Sequence, residues 1–167
     1  DDATNEHYSM FFTEQEGTAS SFRGVKETIE KKGLFSSFYS DRGSHYWNTP
    51  EAGGKVNKVN LTQFGRAMKQ LGIQMIAAYS PEARGRSERA FRTHQERLTK
   101  ELALAGVATM EEANRYLTEI YLPAFNEEFK QPAIEEGSAF VHFCGMDLDD
   151  ILCEQHERTV GNDNCVE

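Results

Sequence analysis

The chain of 167 residues contains no hydrophobic run that approaches the roughly 20 residues needed to cross a bilayer. Its first four residues, DDAT, have neither the basic start nor the apolar stretch of a secretory signal. Only three cysteines are present (Cys144, Cys153 and Cys165), and none of them forms a CxxC pair. An odd number of cysteines at this spacing argues against a disulfide framework, so we expect a protein of the reducing cytoplasm.

Positive charge is also scarce, because 18 Lys and Arg stand against 27 Asp and Glu. The net charge of −9 is unevenly spread: residues 133–167 hold nine acids and one base and so carry −8 of it. The low pI of about 5.1 argues against a generic nucleic-acid binder and leaves room for a local basic patch. The change in composition after Pro132 predicts a boundary between a core at 1–132 and a tail at 133–167, which we interpret as a linker and the start of a small β-rich domain.

Hydrophobic periodicity, caps and glycine stops predict alternating strands and helices. We predict strands at 7–13, 34–39 and 73–79, and helices at 18–32, 61–71, 87–105 and 110–129. This order is typical of an α/β sheet with crossover helices, in which functional residues follow the ends of strands. Between two of these elements, residues 42–60 form a polar segment without periodicity, and a segment of that length indicates a functional or mobile loop.

The first segment that could carry chemistry is YSDRGSH, from Tyr39 to His45. Asp41 follows a predicted buried strand and precedes a glycine and small polar residues, so its carboxylate would lie in an open loop. Taken alone, this pattern is more typical of an ordinary turn, because Asp favours turns for local hydrogen bonding.

The second segment begins at Tyr79 with YSPEARGRSERAF, where residues 81–100 hold six bases and three acids. Arginine and glycine at the entry of a helix suit contact with phosphate. Glu88 stands three residues before Phe91, a spacing that predicts an inward-facing carboxylate beside the apolar stripe of Phe91, Leu98 and Leu102. The alternative is a solvated helix face with Glu–Arg pairs such as Glu88 with Arg92.

Together the two segments resemble the catalytic core of DDE transposases and retroviral integrases, and most closely the bacterial insertion-sequence transposases of the ISNCY type. The resemblance rests on DDAT at the start, YSDRGSH, LTQFGRA (61–67), YSPEARGRSERAFRT (79–93) and RTVGNDN (158–164). It implies a ribonuclease H-like α/β fold, a bacterial cytoplasmic protein, and metal-dependent cleavage and strand transfer on DNA.

The resemblance also implies a site. Asp41 corresponds to the second catalytic carboxylate of the family and Glu88 to the third, with 46 residues between them. Both would be ligands of Mg²⁺ or Mn²⁺, two ions being expected in a complete site. The family's first carboxylate precedes the turn that Asp1 and Asp2 match, so we expect a core truncated at both ends and inactive alone.

By the same resemblance the partners would be DNA and further copies of the chain, with no membrane. The expected DNA contacts are Arg84, Arg86, Arg89, Arg92 and His45. Trp47 would either stack on an exposed base or anchor the packing of its loop. The spacing of Cys144, Cys153, His142 and His156 fits no standard zinc pattern. Two alternatives stay open: an inactive remnant that binds DNA or a transposase, and a decayed product that does not fold.

Overall fold

The computed structural model describes residues 1–51, 54–80 and 85–160, except for the side chain of Arg86. Within these residues the helices and strands follow in the order α1 (Thr18–Lys32), β1 (Ser37–Ser40), α2 (Gln63–Gln70), β2 (Gln74–Ala77), α3 (Gly85–Leu104), α4 (Met110–Tyr116), a π-helical turn (Leu117–Tyr121), α5 (Leu122–Phe129) and α6 (Leu148–Ile151). The predicted α/β class is therefore confirmed, and most predicted helices begin and end within two residues of the observed ones.

The sheet of the described chain consists of β1 and β2, which run parallel. Ser37 pairs with Gln74 and Ser40 with Ala77, so the carboxyl ends of the two strands lie at the same edge. The amide of Ala78 continues the ladder by donating to the carbonyl of Ser40 at 2.9 Å. Residues that follow either strand, Asp41 among them, are thereby brought to one edge of the sheet.

The main hydrophobic core lies where α1, α2 and α6 pack together. It contains residues of all three helices and of the segments beside them: Phe22, Val25, Ile29, Phe64, Ala67, Met68, Leu71, Ile73, Leu148, Ile151 and Leu152. Gly33 ends α1 with φ +99°, and a Cβ there would lie 2.4 Å from the carbonyl oxygen of Val141. Glycine is required at this position because both the backbone angle and the close approach exclude a side chain.

A second, smaller core joins the continuous helical segment at 110–129 to α3 and the N-terminal segment. Leu117, Tyr121 and Phe125 form its centre, with Met10 and Leu98 packed against them. The segment begins at Thr109, whose hydroxyl accepts from the amide of Glu112 while Glu112 bonds back to Thr109, as the capping box in the sequence predicts. None of the helices in the described ranges is both long and apolar enough to cross a membrane.

The strand predicted at 7–13 is wrong, because these residues have no strand assignment. The backbone of this segment is instead bound by two asparagine side chains. The amide and carbonyl of His7 bond to the Asn126 side chain, both at 2.8 Å, and those of Phe12 bond to Asn114 at 2.6 and 3.1 Å. The aromatic content and polar boundaries of 7–13 matched a strand, but side-chain amides more than 100 residues away bind its backbone.

The described part of the tail, residues 133–160, holds the short helix α6 and an isolated antiparallel bridge from Val141 to Leu34. Leu148, Ile151 and Leu152 of this segment pack into the main core. The boundary at Pro132 and the start of a β-rich domain stay predictions.

Candidate functional site

Asp41 directly follows β1 and is half-buried at the carboxyl edge of the sheet. Its Oδ1 accepts a hydrogen bond from the amide of Gly43 at 3.0 Å, which closes a tight Asp turn. A Cβ on Gly43 would lie 3.1 Å from that same oxygen and 3.0 Å from the ring of His45, so a glycine suits this close approach. The structure thus combines the two interpretations of the sequence: Asp41 makes a turn and also presents a carboxyl group at the end of a strand.

The described part of the 42–60 loop is folded onto the sheet edge. Its anchor is Trp47, which is 5% exposed and donates its indole Nε1–H to the hydroxyl of Ser40 at 3.0 Å. Arg42 donates to the carbonyl of Gly54 at 2.9 Å and stacks 5.3 Å from the ring centroid of Tyr79. Of the two predicted roles of Trp47 the structure supports packing, because so deeply buried an indole cannot stack on an exposed base.

Glu88 lies in the first turn of α3 and is exposed. The prediction that it faces inward is wrong, and Phe91 beside it is 59% exposed. The helix instead buries a face centred on His94, with Leu98 one turn further along. The reason is that the first turns of α3 border a cavity, whereas only its later turns pack against the second core.

This cavity, of about 510 Å³, is lined by residues of β1 and of the first turns of α3, and neither Asp41 nor Glu88 is among them. Phe38, three residues before Asp41, and Tyr46, five residues after it, form part of the wall. Ser87, which directly precedes Glu88, and Ala90, two residues after it, form another part. The first turn of α3 and β1 therefore border the same space.

The predicted DNA contacts differ in their exposure and in their hydrogen-bond partners. Arg84 and the side chain of Arg86 lie outside the described residues. Arg89 and Arg92 are exposed, and Arg89 bonds to the carbonyl of Gly85 at 3.1 Å. His45 stacks against Tyr46 with 3.9 Å between ring centroids, and its Nε2 lies 3.8 Å from a carboxylate oxygen of Glu16.

The chemistry of Asp41 and Glu88 suits a hard divalent cation, because carboxylate oxygens are the ligands that Mg²⁺ and Mn²⁺ prefer. Among the described residues, however, no group of three His, Cys, Asp or Glu side chains is placed to hold a metal ion. The two carboxylates can therefore supply part of a ligand set. This finding also covers the cysteines and histidines of the described tail, while Cys165 lies outside the described residues.

The sequence interpretation missed a histidine pair, in which His94 is buried and His7 is half-buried. The Nδ1 of His7 lies 3.0 Å from the carbonyl oxygen of Asn5, and its Nε2 lies 3.4 Å from the Nε2 of His94. The Nδ1 of His94 lies 2.9 Å from the hydroxyl of Tyr121. A carbonyl only accepts, so His7 must donate from Nδ1, His94 must donate to His7, and Tyr121 must donate to His94.

Every group in this chain of bonds is satisfied when both rings are neutral. Burial lowers the pKa of His7, and burial together with the nearby His7 and Arg97 lowers the pKa of His94 to about 4. The signal in the sequence was the helical spacing of Ala90, His94 and Leu98, which places His94 on the inner face.

No model of a known protein family matches the chain. Two curated relatives do. The first, from Sinorhizobium fredii, carries the name "Putative transposase y4bF" and is 31% identical over 163 residues, which are 96% of this chain and 35% of the relative. The second is the transposase for insertion sequence IS1202 of Streptococcus pneumoniae, 32% identical over 129 residues, which are 77% of this chain and 28% of the relative.

The chain thus spans about a third of the length of the curated relatives it matches. Over most of its own length it is homologous to a part of bacterial transposases, which confirms the resemblance drawn from its motifs.

Proposed function

We propose that the whole protein is a DNA transposase and that this chain supplies two carboxylates, Asp41 and Glu88, of its metal-dependent catalytic centre. The single observation that carries the proposal is one cavity, which is lined by Phe38 of β1, the strand that Asp41 follows, and by Ser87 of α3, which directly precedes Glu88. The similarity to two named transposases supports it. The parallel pair β1–β2 and the helix that carries Glu88 suit the ribonuclease H-like fold that we propose for the core.

In this proposal the chain's own residues bind the metal ion and the DNA and orient the two carboxylates. The turn at Asp41 holds one carboxylate at the end of β1, and the first turn of α3 holds the other. Mg²⁺ or Mn²⁺, when bound, would supply charge stabilisation for attack on a phosphodiester. Arg84, Arg86, Arg89, Arg92 and His45 would contact the DNA backbone, where cations give affinity that is independent of sequence.

Several copies of the protein would act together on the two ends of a mobile element. An inactive remnant that only binds DNA or a transposase is the second candidate function. The cavity shared by β1 and the first turn of α3, the two elements that hold Asp41 and Glu88, favours the catalytic proposal over it.

The test is nicking of supercoiled DNA by the whole protein in Mg²⁺ or Mn²⁺. Asp41→Asn and Glu88→Gln each remove a ligand charge and should reduce the rate about 10³-fold, equivalent to about 4 kcal/mol of transition-state stabilisation. Glu96→Gln is the matched control, because Glu96 is an exposed acid two turns further along α3. Unchanged nicking in either variant, or an equal loss in the control, would refute the assignment.

A further inference from the structure

Trp47 is the chain's single tryptophan, and Ser40 links it to Asp41 through hydrogen bonds. Its buried indole N–H donates to the hydroxyl of Ser40 at 3.0 Å, and this hydroxyl donates to the carbonyl of Asp41 at 2.9 Å. Ser40 is itself 8% exposed. The bond from Trp47 to Ser40 is buried, and the bond from Ser40 to the Asp41 carbonyl is partly buried. A two-bond relay therefore runs from the indole to the peptide unit that follows Asp41.

A second connection runs through the main chain. The amides of Tyr46 and Trp47 donate to the carbonyl of Gly43 at 3.0 and 2.9 Å, and the amide of Gly43 donates to the Asp41 carboxylate. The hydroxyl of Thr62, which caps α2, also donates to the carbonyl of Tyr46. Hydrogen bonds thus connect the two ends of the segment 40–47, and the Asp41 carboxylate accepts one of the bonds within it.

We propose that Trp47 is a positioning residue for the Asp41 carboxylate and that it acts through the hydroxyl of Ser40. This inference rests on the proposed function for the role of Asp41, whereas the relay itself stands on the hydrogen bonds alone. Loss of a buried acceptor costs more than the average hydrogen bond, because the donor that remains is unpaired. Removing the indole N–H of Trp47 or the hydroxyl of Ser40 should therefore loosen the turn at Asp41.

The chain offers a closely matched set of variants. Trp47→Phe keeps an apolar ring and removes the indole N–H, and Ser40→Ala removes the shared hydroxyl. Tyr46→Phe is the control, since its hydroxyl accepts from Ser21 at 3.2 Å and takes no part in the relay. Because Trp47 and Ser40 act in series, the double variant should behave like Ser40→Ala alone.

The first readout is hydrogen exchange at the amide of Gly43, measured on the folded chain by NMR. We expect exchange to be three- to tenfold faster in Trp47→Phe and in Ser40→Ala, and unchanged in Tyr46→Phe. Equal exchange rates in these three variants would overturn the inference. So would increases in exchange rate in the two single relay variants that add fully in the double variant. Should Trp47→Phe fail to fold, Ser40→Ala decides, because it removes one small hydroxyl.

The second readout is binding of Mn²⁺ alone, followed by the electron paramagnetic resonance signal of the free ion. Affinity should fall three- to tenfold in Trp47→Phe and Ser40→Ala and stay unchanged in Tyr46→Phe. If the wild type binds Mn²⁺ through Asp41 and neither relay variant changes this affinity, positioning by Trp47 is refuted and the proposed function stands. If the exchange at Gly43 changes as expected but Asp41→Asn leaves Mn²⁺ binding intact, the relay stands and the proposed function fails.

Discussion

The buried His94 and its contact with His7 predict that the protein loses stability in mild acid. His94 is 8% exposed, and its pKa is lowered from 6.5 to about 4 in the folded chain. The folded state therefore binds fewer protons than the unfolded state between these two values. The contribution to stability is fully present above pH 6.5 and is lost as the pH falls toward 4.

The magnitude follows from the difference between the folded and unfolded pKa values of His94. Since one pKa unit corresponds to about 1.36 kcal/mol, His94 should account for about 3 kcal/mol of the loss in unfolding free energy between pH 7.5 and pH 4. The structural reason is that a second proton on His94 would lie on Nδ1, opposite the Tyr121 hydroxyl that donates to this nitrogen. A second proton on His7 would place two N–H groups opposite each other across the 3.4 Å contact.

The assay is urea denaturation at several pH values, followed by the fluorescence of Trp47, for the wild type and for His94→Gln. Glutamine keeps hydrogen-bonding capacity toward Tyr121 and His7 but does not titrate. We expect the variant to be less stable at pH 7.5, and its free energy of unfolding to depend less on pH by about 3 kcal/mol. Groups outside the histidine pair titrate alike in both proteins, so parallel pH profiles would refute the reasoning.

Two further predictions concern the N-terminal segment and the basic surface of α3. Asn126→Ala should cost about 1–3 kcal/mol in unfolding free energy and speed hydrogen exchange at the amide of His7, because both bonds at 2.8 Å are lost. Asn126→Asp keeps only the acceptor and should lower the unfolding free energy by less. An equal loss in both variants would contradict the role of the two Asn126 bonds in holding His7. For random-sequence duplex DNA, Arg92→Gln should lower the slope of log affinity against log salt by about 1, whereas Arg23→Gln on α1 should not change it. Equal slopes in the wild type and Arg92→Gln would contradict a phosphate contact.

The sequence predicted those elements whose signals are local. The helix at 110–129 begins where the capping box at Thr109 and Glu112 places it, since both bonds join residues three apart. β1 and β2 were found because each is an apolar segment bounded by turn residues. The strand at 7–13 failed because the partners of His7 and Phe12 are side chains far along the chain.

In the candidate site, too, the features set by neighbouring residues could be predicted and those set by distant contacts could not. The turn at Asp41 follows from the adjacent glycine, whereas the exposure of Glu88 depends on what packs against α3. The stripe of Phe91 and Leu98 predicted a buried face but did not show that only the later turns of α3 reach a core. His94 lay within the apolar spacing, and its polar side chain concealed that it was the buried residue.

The central claim is that Asp41 and Glu88 serve one metal-dependent centre. The most direct measurement is anomalous diffraction from a crystal of the protein soaked in Mn²⁺. The account predicts a peak at about 2.1 Å from a carboxylate oxygen of Asp41 and at a similar distance from one of Glu88. Mn²⁺ bound elsewhere, with these two carboxyl groups too far apart to share an ion, would contradict it.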